Sequence, residues 1–259
     1  MKKHQDWGST EYINRNQFSA ISYKDILKNI FANYNYETYL EIGTNKGHSI
    51  RWASNDCIGV DPKFIIEGNI MNNKRSLMLF QKTSDKFFEE DAGKIFLDKK
   101  ISLSFIDGLH LSEQVIKDFL NTLKYSTEDF LIILHDVIPR TYESSLRDRV
   151  TRFWTGDVWR ACKTLNHYFS SKLKFSYVNC PPSGLLFISN RQSDDSPNKI
   201  DSYNLEEILH YNSKINSKEL SQFLKGLDYF DSQDILNFFN EKVDNFDLDD
   251  FVSRKFNVK

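Results

Sequence analysis

Short apolar runs alternate along the chain with longer stretches whose apolar residues recur every three or four positions, the pattern of a parallel sheet joined by crossover helices. Strands are expected at 38–42, 57–60, 77–81, 103–106 and 130–134, each bounded by polar or glycine positions and apolar enough for burial on both faces. Helical spacing is expected at 23–32, 47–53 and 111–123; in the last, Val115, Ile116, Phe119, Leu120 and Leu123 share a face. A further helix at 159–169 precedes strands at 174–178 and 185–189, which flank Cys180-Pro181-Pro182-Ser183-Gly184 and read as an antiparallel hairpin at the sheet edge. The expected fold is α/β: a mostly parallel seven-stranded sheet with an antiparallel C-terminal hairpin and helices on both faces.

Past Ser189 the composition turns to Ser, Asp and Asn with a proline, which suggests a boundary and a division into 1–190 and a helical C-terminal extension, 191–259. Helical patterns in that extension fall near 205–209, 220–227 and 235–239, before an acidic stretch at 244–250. A chain of 259 residues is long enough for one sizeable core. A composition 40% hydrophobic and 27% charged, with formal charge -2, argues against a disordered chain and against a nucleic-acid partner. No apolar run approaches the ~20 residues of a membrane span, and no leader pattern opens the chain, so a cytoplasmic protein is expected. Three cysteines, Cys57, Cys162 and Cys180, show no metal or disulfide spacing and suit a reducing compartment.

The strongest local signal is Tyr39-Leu40-Glu41-Ile42-Gly43-Thr44-Asn45-Lys46-Gly47-His48-Ser49, where an expected strand runs into a glycine-containing loop and an expected helix. Glycines admit close approach of a ligand to the backbone, and amides at a helix start attract a carboxylate or phosphate. A dinucleotide fingerprint would place glycines at 41, 43 and 46, where this chain has Glu41, Gly43 and Lys46, so NAD is disfavoured. The second strand ends at Val60-Asp61-Pro62, a carboxylate about 20 residues after the first, suited to two vicinal ribose hydroxyls. Thr83-Ser84-Asp85 follows the third strand. The fourth runs into Ile106-Asp107-Gly108-Leu109-His110 and the fifth into His135-Asp136-Val137-Ile138-Pro139, so Asp107, His110, His135 and Asp136 should converge on the crevice where the strand order reverses. Each also has an ordinary reading, as a helix cap, a surface group or a partner of a backbone carbonyl.

The acidic-x-Gly-x-x-x-Gly pattern at Glu41 resembles motif I of class I S-adenosylmethionine-dependent methyltransferases, which implies a Rossmann-like fold. With the segments around Asp107 and His135, Trp154-Thr155-Gly156-Asp157-Val158-Trp159 and Pro181-Pro182-Ser183-Gly184, the likeness extends over roughly 20–190 to methyltransferase type 24, and to sugar O-methyltransferases of macrolide and surface-polysaccharide pathways. The resemblance implies S-adenosylmethionine as cofactor, held by Glu41, Gly43, Thr44, Gly47 and Ser49 at the loop, by Asp61 at the ribose, and by Ser84 and Asp107 further on. It also implies a metal-binding aspartate at Asp107 and a general base at His110. Where the relatives place an acidic pair after the fifth strand, this chain has His135-Asp136: Asp107 and Asp136 with waters would still hold magnesium, whereas the histidine favours a softer ion or none.

The chemistry implied is in-line methyl transfer to an oxygen, with His110 taking the hydroxyl proton and Asp107, His135 and Asp136 completing the catalytic group. Arg140, Arg147, Arg149 and Arg152, with Trp154 and Trp159, read as a substrate cover able to grip a phosphate and pack a sugar ring, or as a solvated charged helix. The expected acceptor is a carbohydrate, sugar phosphate or sugar nucleotide of capsule, lipopolysaccharide or glycosylated-metabolite synthesis, with a homo-oligomer as a further expectation. The alternatives are a non-catalytic cofactor-binding partner subunit and a nicotinamide-dependent oxidoreductase. Methylation of nucleic acid is disfavoured by charge and by the lack of a base-flipping motif.

Overall fold

The computed structural model describes residues 21–191, 203–239 and Val243. In chain order the elements are α1 (Tyr23–Asn33), β1 (Thr38–Ile42), β2 (Asn55–Val60), β3 (Lys74–Phe80), α2 (Ser84–Glu90), α3 (Ala92–Ile95), β4 (Ile101–Ile106), α4 (Ser112–Lys124), β5 (Ser126–His135), α5 (Val158–Phe169), β6 (Leu173–Asn179), β7 (Leu185–Asn190), α6 (Leu205–Lys214), α7 (Leu220–Lys225), β8 (Tyr229–Asp231) and α8 (Ser232–Phe238). The strands form one eight-stranded sheet in the order β3-β2-β1-β4-β5-β7-β6-β8. The first five are parallel, β7 is antiparallel to both β5 and β6, and β8 runs parallel to β6.

Side chains of successive strand residues point to opposite faces, and the core divides accordingly into two layers. Leu40, Ile42, Ile106, Ile132, Leu134, Leu186 and Ile188 pack on one face with residues of α2, α4 and α5. Tyr39, Leu103, Phe105, Leu131, Ile133, Leu185 and Phe187 pack on the other with α1 and α8. Every residue of β1 and β4 is buried, as strands covered on both sides must be. The order reverses between β1 and β4, so the carboxyl ends of β1, β4 and β5 open onto one crevice.

The structure departs from the expected elements in three places. An eighth strand, β8, lengthens the sheet by pairing with β6 at residues Tyr177 to Asn179. The helix expected at 47–53 is one 3-10 turn, Ile50–Trp52, because Gly47 takes a positive φ of 72° and β2 already begins at Asn55, leaving room for a single turn. Two short helices, α2 and α3, fill the connection from β3 to β4 through Phe87, Phe88, Ala92 and Phe96, buried positions too closely spaced to stand out as a helical period. Among the described residues, no helix is long and apolar enough to cross a membrane.

Trp159, expected near the substrate, is only 1% exposed in the core, with its ring 5.6 Å from that of Phe223. Truncation to Ala leaves an indole-sized void, so Trp159→Ala is expected to cost about 3–5 kcal/mol of stability in denaturant unfolding. A loss below about 1 kcal/mol would contradict this placement.

Candidate active site

The loop after β1 is shaped by backbone contact. Gly43 has φ 89°, and an added Cβ there would lie 2.0 Å from the Asp107 carbonyl oxygen. Any side chain at this position would therefore force the β1 and β4 loops apart. Asp61 fastens the neighbouring turn: its two carboxylate oxygens accept the backbone N–H groups of Asn45 and Lys63 at 2.9 and 2.7 Å. Glu41 lies behind the loop, buried, accepting the Tyr39 hydroxyl at 2.6 Å, and burial pushes its carboxyl up to about 8. Glu41 is therefore a neutral prop at ordinary pH.

A cleft of about 940 Å3 runs from this loop across the ends of β2 and β3 to those of β4 and β5. Of the residues expected to hold a cofactor, Gly43, Asp61, Ser84 and Asp107 line it; Glu41, Thr44, Gly47 and Ser49 lie outside the lining and form the loop from behind. Since the helix expected after Gly47 is a short turn, no long helix aims its amides into the cleft from there. Gln114 of α4 also reaches the wall and donates to Ser84 Oγ at 3.2 Å and Asp85 Oδ1 at 3.0 Å.

The four expected catalytic side chains converge. His135 Nδ1 lies 3.0 Å from Asp107 Oδ1, and His110 Nε2 lies 3.3 Å from the same oxygen and 3.2 Å from Asp136 Oδ2. His110 Nδ1 donates to the Trp154 carbonyl at 3.1 Å, which leaves Nε2 as the atom facing the two carboxylates. Burial alone would pull the His110 imidazolium down, but the Asp107 hydrogen bond and the charges of Asp136 and Asp107 outweigh it and push it up to about 9. Burial likewise opposes the ionised Asp107, yet His135 and His110 hold its carboxyl well below the usual range. The members of the quartet are thus mutually paired, as buried ionisable groups must be. One ligand atom from each of Asp107, His110 and Asp136 lies within 4.8 Å of the others, so these three fit a divalent cation; His135 stands outside that set.

Four supporting residues, Ser183, Tyr23, Phe153 and Pro182, escape a reading of the sequence. Ser183, in the turn after Pro181-Pro182, donates its hydroxyl to Asp136 Oδ1, and Asp136 itself sits at φ 59°, a conformation few non-glycine residues adopt. Tyr23, at the start of α1, lays its ring 4.3 Å from that of His135; the Ser22–Asp25 capping box that starts α1 is the local signal that fixes its place. Phe153 and Pro182 complete the wall.

Residues 140–157 form a strap across the cleft. Trp154 anchors it: the indole N–H donates to the Leu146 carbonyl at 2.6 Å, and the ring stacks on His110 at 5.3 Å. Gly156, at φ 58°, is pressed so close that an added Cβ would lie 1.9 Å from the His110 carbonyl oxygen. Arg147 ties the strap to α4 through Glu113 at 2.7 Å and to buried Asp157 at 2.9 Å. The Arg147 hydrogen bond holds the Glu113 carboxyl down at about 2. Of the residues expected in the cover, Arg149, Arg152 and Trp154 line the cleft, while Arg140 donates to the Pro182 carbonyl and lies outside the lining.

Residues 40–137, from β1 to just past β5, match the methyltransferase type 24 family model, described as a methyltransferase domain. No curated protein sequence matches the chain. Among solved structures, the chain is similar to an O-methyltransferase from Bacillus cereus in complex with S-adenosylhomocysteine, at 14% identity and TM-score 0.46, covering 68% of this chain and 86% of that one. It is also similar to the O-methyltransferase TomG from Streptomyces achromogenes, involved in tomaymycin synthesis and in complex with S-adenosylmethionine, at 11% identity and TM-score 0.45, covering 65% and 79%. Values this low describe a distant likeness and no more.

Two outcomes follow from the strap. Gly156→Ala is expected to shift the His110 imidazole NMR signals without global unfolding, because the new methyl displaces the His110 backbone; unchanged signals would contradict that contact. Because Glu113 is held below its unfolded value, its contribution to stability is present above pH ~4.3 and fades as pH falls towards 2. Glu113→Gln should therefore flatten the acid limb of the stability profile over that window, and an unchanged limb would contradict the Glu113–Arg147 tie.

The segment that carries the β1 loop and the strand-end quartet, residues 40–137, is the one that matches the methyltransferase domain model.

Proposed function

We propose that the protein transfers a methyl group from S-adenosylmethionine to a hydroxyl oxygen of a carbohydrate, with residues 1–190 as the methyltransferase domain and 191–259 as an extension whose described part adds three α-helices and the strand β8 to the same sheet. The observation that carries this reading is the position of His110: its Nε2 meets two carboxylates where the cleft passes from the β1 loop to the strap. The residues present fit the cofactor. Gly43 leaves backbone open to close approach, Asp61 offers carboxylate to a ribose, and Ser84 with Asp85 stands at the far end of the cleft. S-adenosylmethionine, when bound, supplies an electrophilic methyl group and a positive sulfonium.

Beside the positive sulfonium of a bound cofactor, the His110 imidazolium would be disfavoured and the form of Nε2 that accepts a proton favoured. Asp107 and Asp136 then orient the ring and stabilise the imidazolium formed when the acceptor hydroxyl gives up its proton. His135, paired with Asp107 and backed by Tyr23, holds Asp107 in place. The strap covers the reacting groups from water, and orientation of the acceptor hydroxyl supplies much of the rate.

A second reading of the same residues is favoured by the spacing of Asp107, His110 and Asp136, which would hold a divalent cation. Such an ion would acidify the acceptor hydroxyl, and His110 would then be a ligand. Chelation separates the two: activity that persists in chelator assigns His110 to proton transfer.

The test is transfer of labelled methyl from S-adenosylmethionine to a panel of sugars, sugar phosphates and sugar nucleotides. His110→Ala is expected to lower turnover at least a hundredfold while leaving S-adenosylhomocysteine affinity within about threefold, since general acid–base catalysis contributes roughly 10²–10⁴. Full turnover in the variant would remove His110 from the mechanism.

A further inference from the structure

Among the described residues, the half of the cleft walled by the strap carries two guanidiniums without counter-ions. Among the described residues, Arg149 and Arg152 line the cleft and form no ion pair. The neighbouring arginines do: Arg147 is held by Glu113 and Asp157, and Arg160 lies 3.6 Å from Asp157. Arg149 donates to the Arg152 carbonyl at 2.8 Å and stands over the Trp154 ring, 6.0 Å from its centroid. That contact orders the guanidinium without neutralising it.

The acids along the same wall are engaged. Asp61 accepts two backbone N–H groups, Asp107 and Asp136 face the two histidines, and Asp85 accepts from Gln114. An anion entering from the strap side therefore meets two guanidiniums that have no counter-ion, while Asp107 and Asp136 are paired with the histidines. Guanidinium forks match phosphate and carboxylate oxygens in pairs. The strap's aromatic rings are partly taken: Trp154 is stacked on His110 and faced by Arg149, Phe153 has Arg140 over its ring at 4.8 Å, and Trp159 is in the core.

We propose that the methyl acceptor carries an oxyanion, a phosphate or a carboxylate, gripped by Arg152 and Arg149 while a hydroxyl of the same molecule faces His110. This rests on the methyl-transfer reading. Arg152 is two residues from Trp154, whose carbonyl accepts from His110, and two residues of chain span at most about 7 Å. Grip and base are thus within reach of one small acceptor. The strap sets specificity by charge, and its anchor on His110 couples occupancy by the anion to the placement of the base.

The full chain, with S-adenosylhomocysteine affinity measured on each sample, is titrated at constant ionic strength with inorganic phosphate, glucose 6-phosphate, glucuronate and glucose. Binding is followed by the indole N–H signal of Trp154 and the Nε–H signals of the arginines. Saturable shifts are expected for phosphate, with at least one sugar anion bound tenfold or more tightly than glucose. The preferred anion distinguishes phosphate from carboxylate. Arg152→Gln, which removes the charge at an exposed position, should weaken anion binding fivefold or more with S-adenosylhomocysteine affinity unchanged, and Arg152→Lys should recover part of it. Absence of saturable shifts with any anion, or equal binding in Arg152→Gln, would overturn the proposal. If S-adenosylhomocysteine binds while anions do not, this inference alone fails; if it does not bind at all, the methyl-transfer reading fails.

Discussion

Asp107 Oδ1 lies 3.0 Å from His135 Nδ1 and 3.3 Å from His110 Nε2, and much of the surrounding structure serves to keep this oxygen between the two rings. Charges taken out of water are tolerable only when each has a close partner, and removal of one member leaves the others uncompensated. The sheet solves the problem by ending two adjacent parallel strands at the same level, so that Asp107 after β4 and His135 at the end of β5 arrive side by side. Asp136, one residue further, closes the set through His110. Its positive φ turns the chain back towards the hairpin, where Ser183 meets its second oxygen.

The same constraint explains the tight backbone contacts. Gly43 against the Asp107 carbonyl and Gly156 against the His110 carbonyl bring the β1 loop and the strap directly onto the loop that carries both residues. Neither contact has room for a Cβ. Further out, Asp157 links the strap to α4 and to the C-terminal region: it accepts from Ser112 N at 2.8 Å and from Arg147, while Asn212 of α6 donates to Ser112 Oγ at 2.8 Å. Asp157 replaces the side-chain cap that Leu111 cannot give α4. Through this chain of bonds the helices beyond residue 203 reach the segment that presents His110.

Much of this was legible in the sequence. The buried strands read directly as apolar runs, because both faces of a parallel sheet are covered, and their termini placed Asp61, Asp107, His110, His135 and Asp136 on one rim. What escaped depended on tertiary packing. Trp159 carries the same helical spacing whether it faces a ligand or Phe223. Residues 47–53 have a helical pattern, yet the early start of β2 permits only one turn. Glu41 was legible as part of the loop but its orientation was not, since period-two alternation sends it towards Tyr39 and away from the cleft. Tyr23 and Ser183 lie far from the quartet in the chain, and only the fold brings them to it.

The account stands on the cleft between the β1 loop and His110 being the seat of a sulfonium nucleoside. A crystal structure of the full chain with S-adenosylhomocysteine measures this directly. The account predicts the ribose hydroxyls on Asp61, the adenine beside Ser84 and Asp85, and the sulfur turned towards His110. A ligand bound elsewhere, or one lying in this cleft with its sulfur turned away from the quartet, would contradict it.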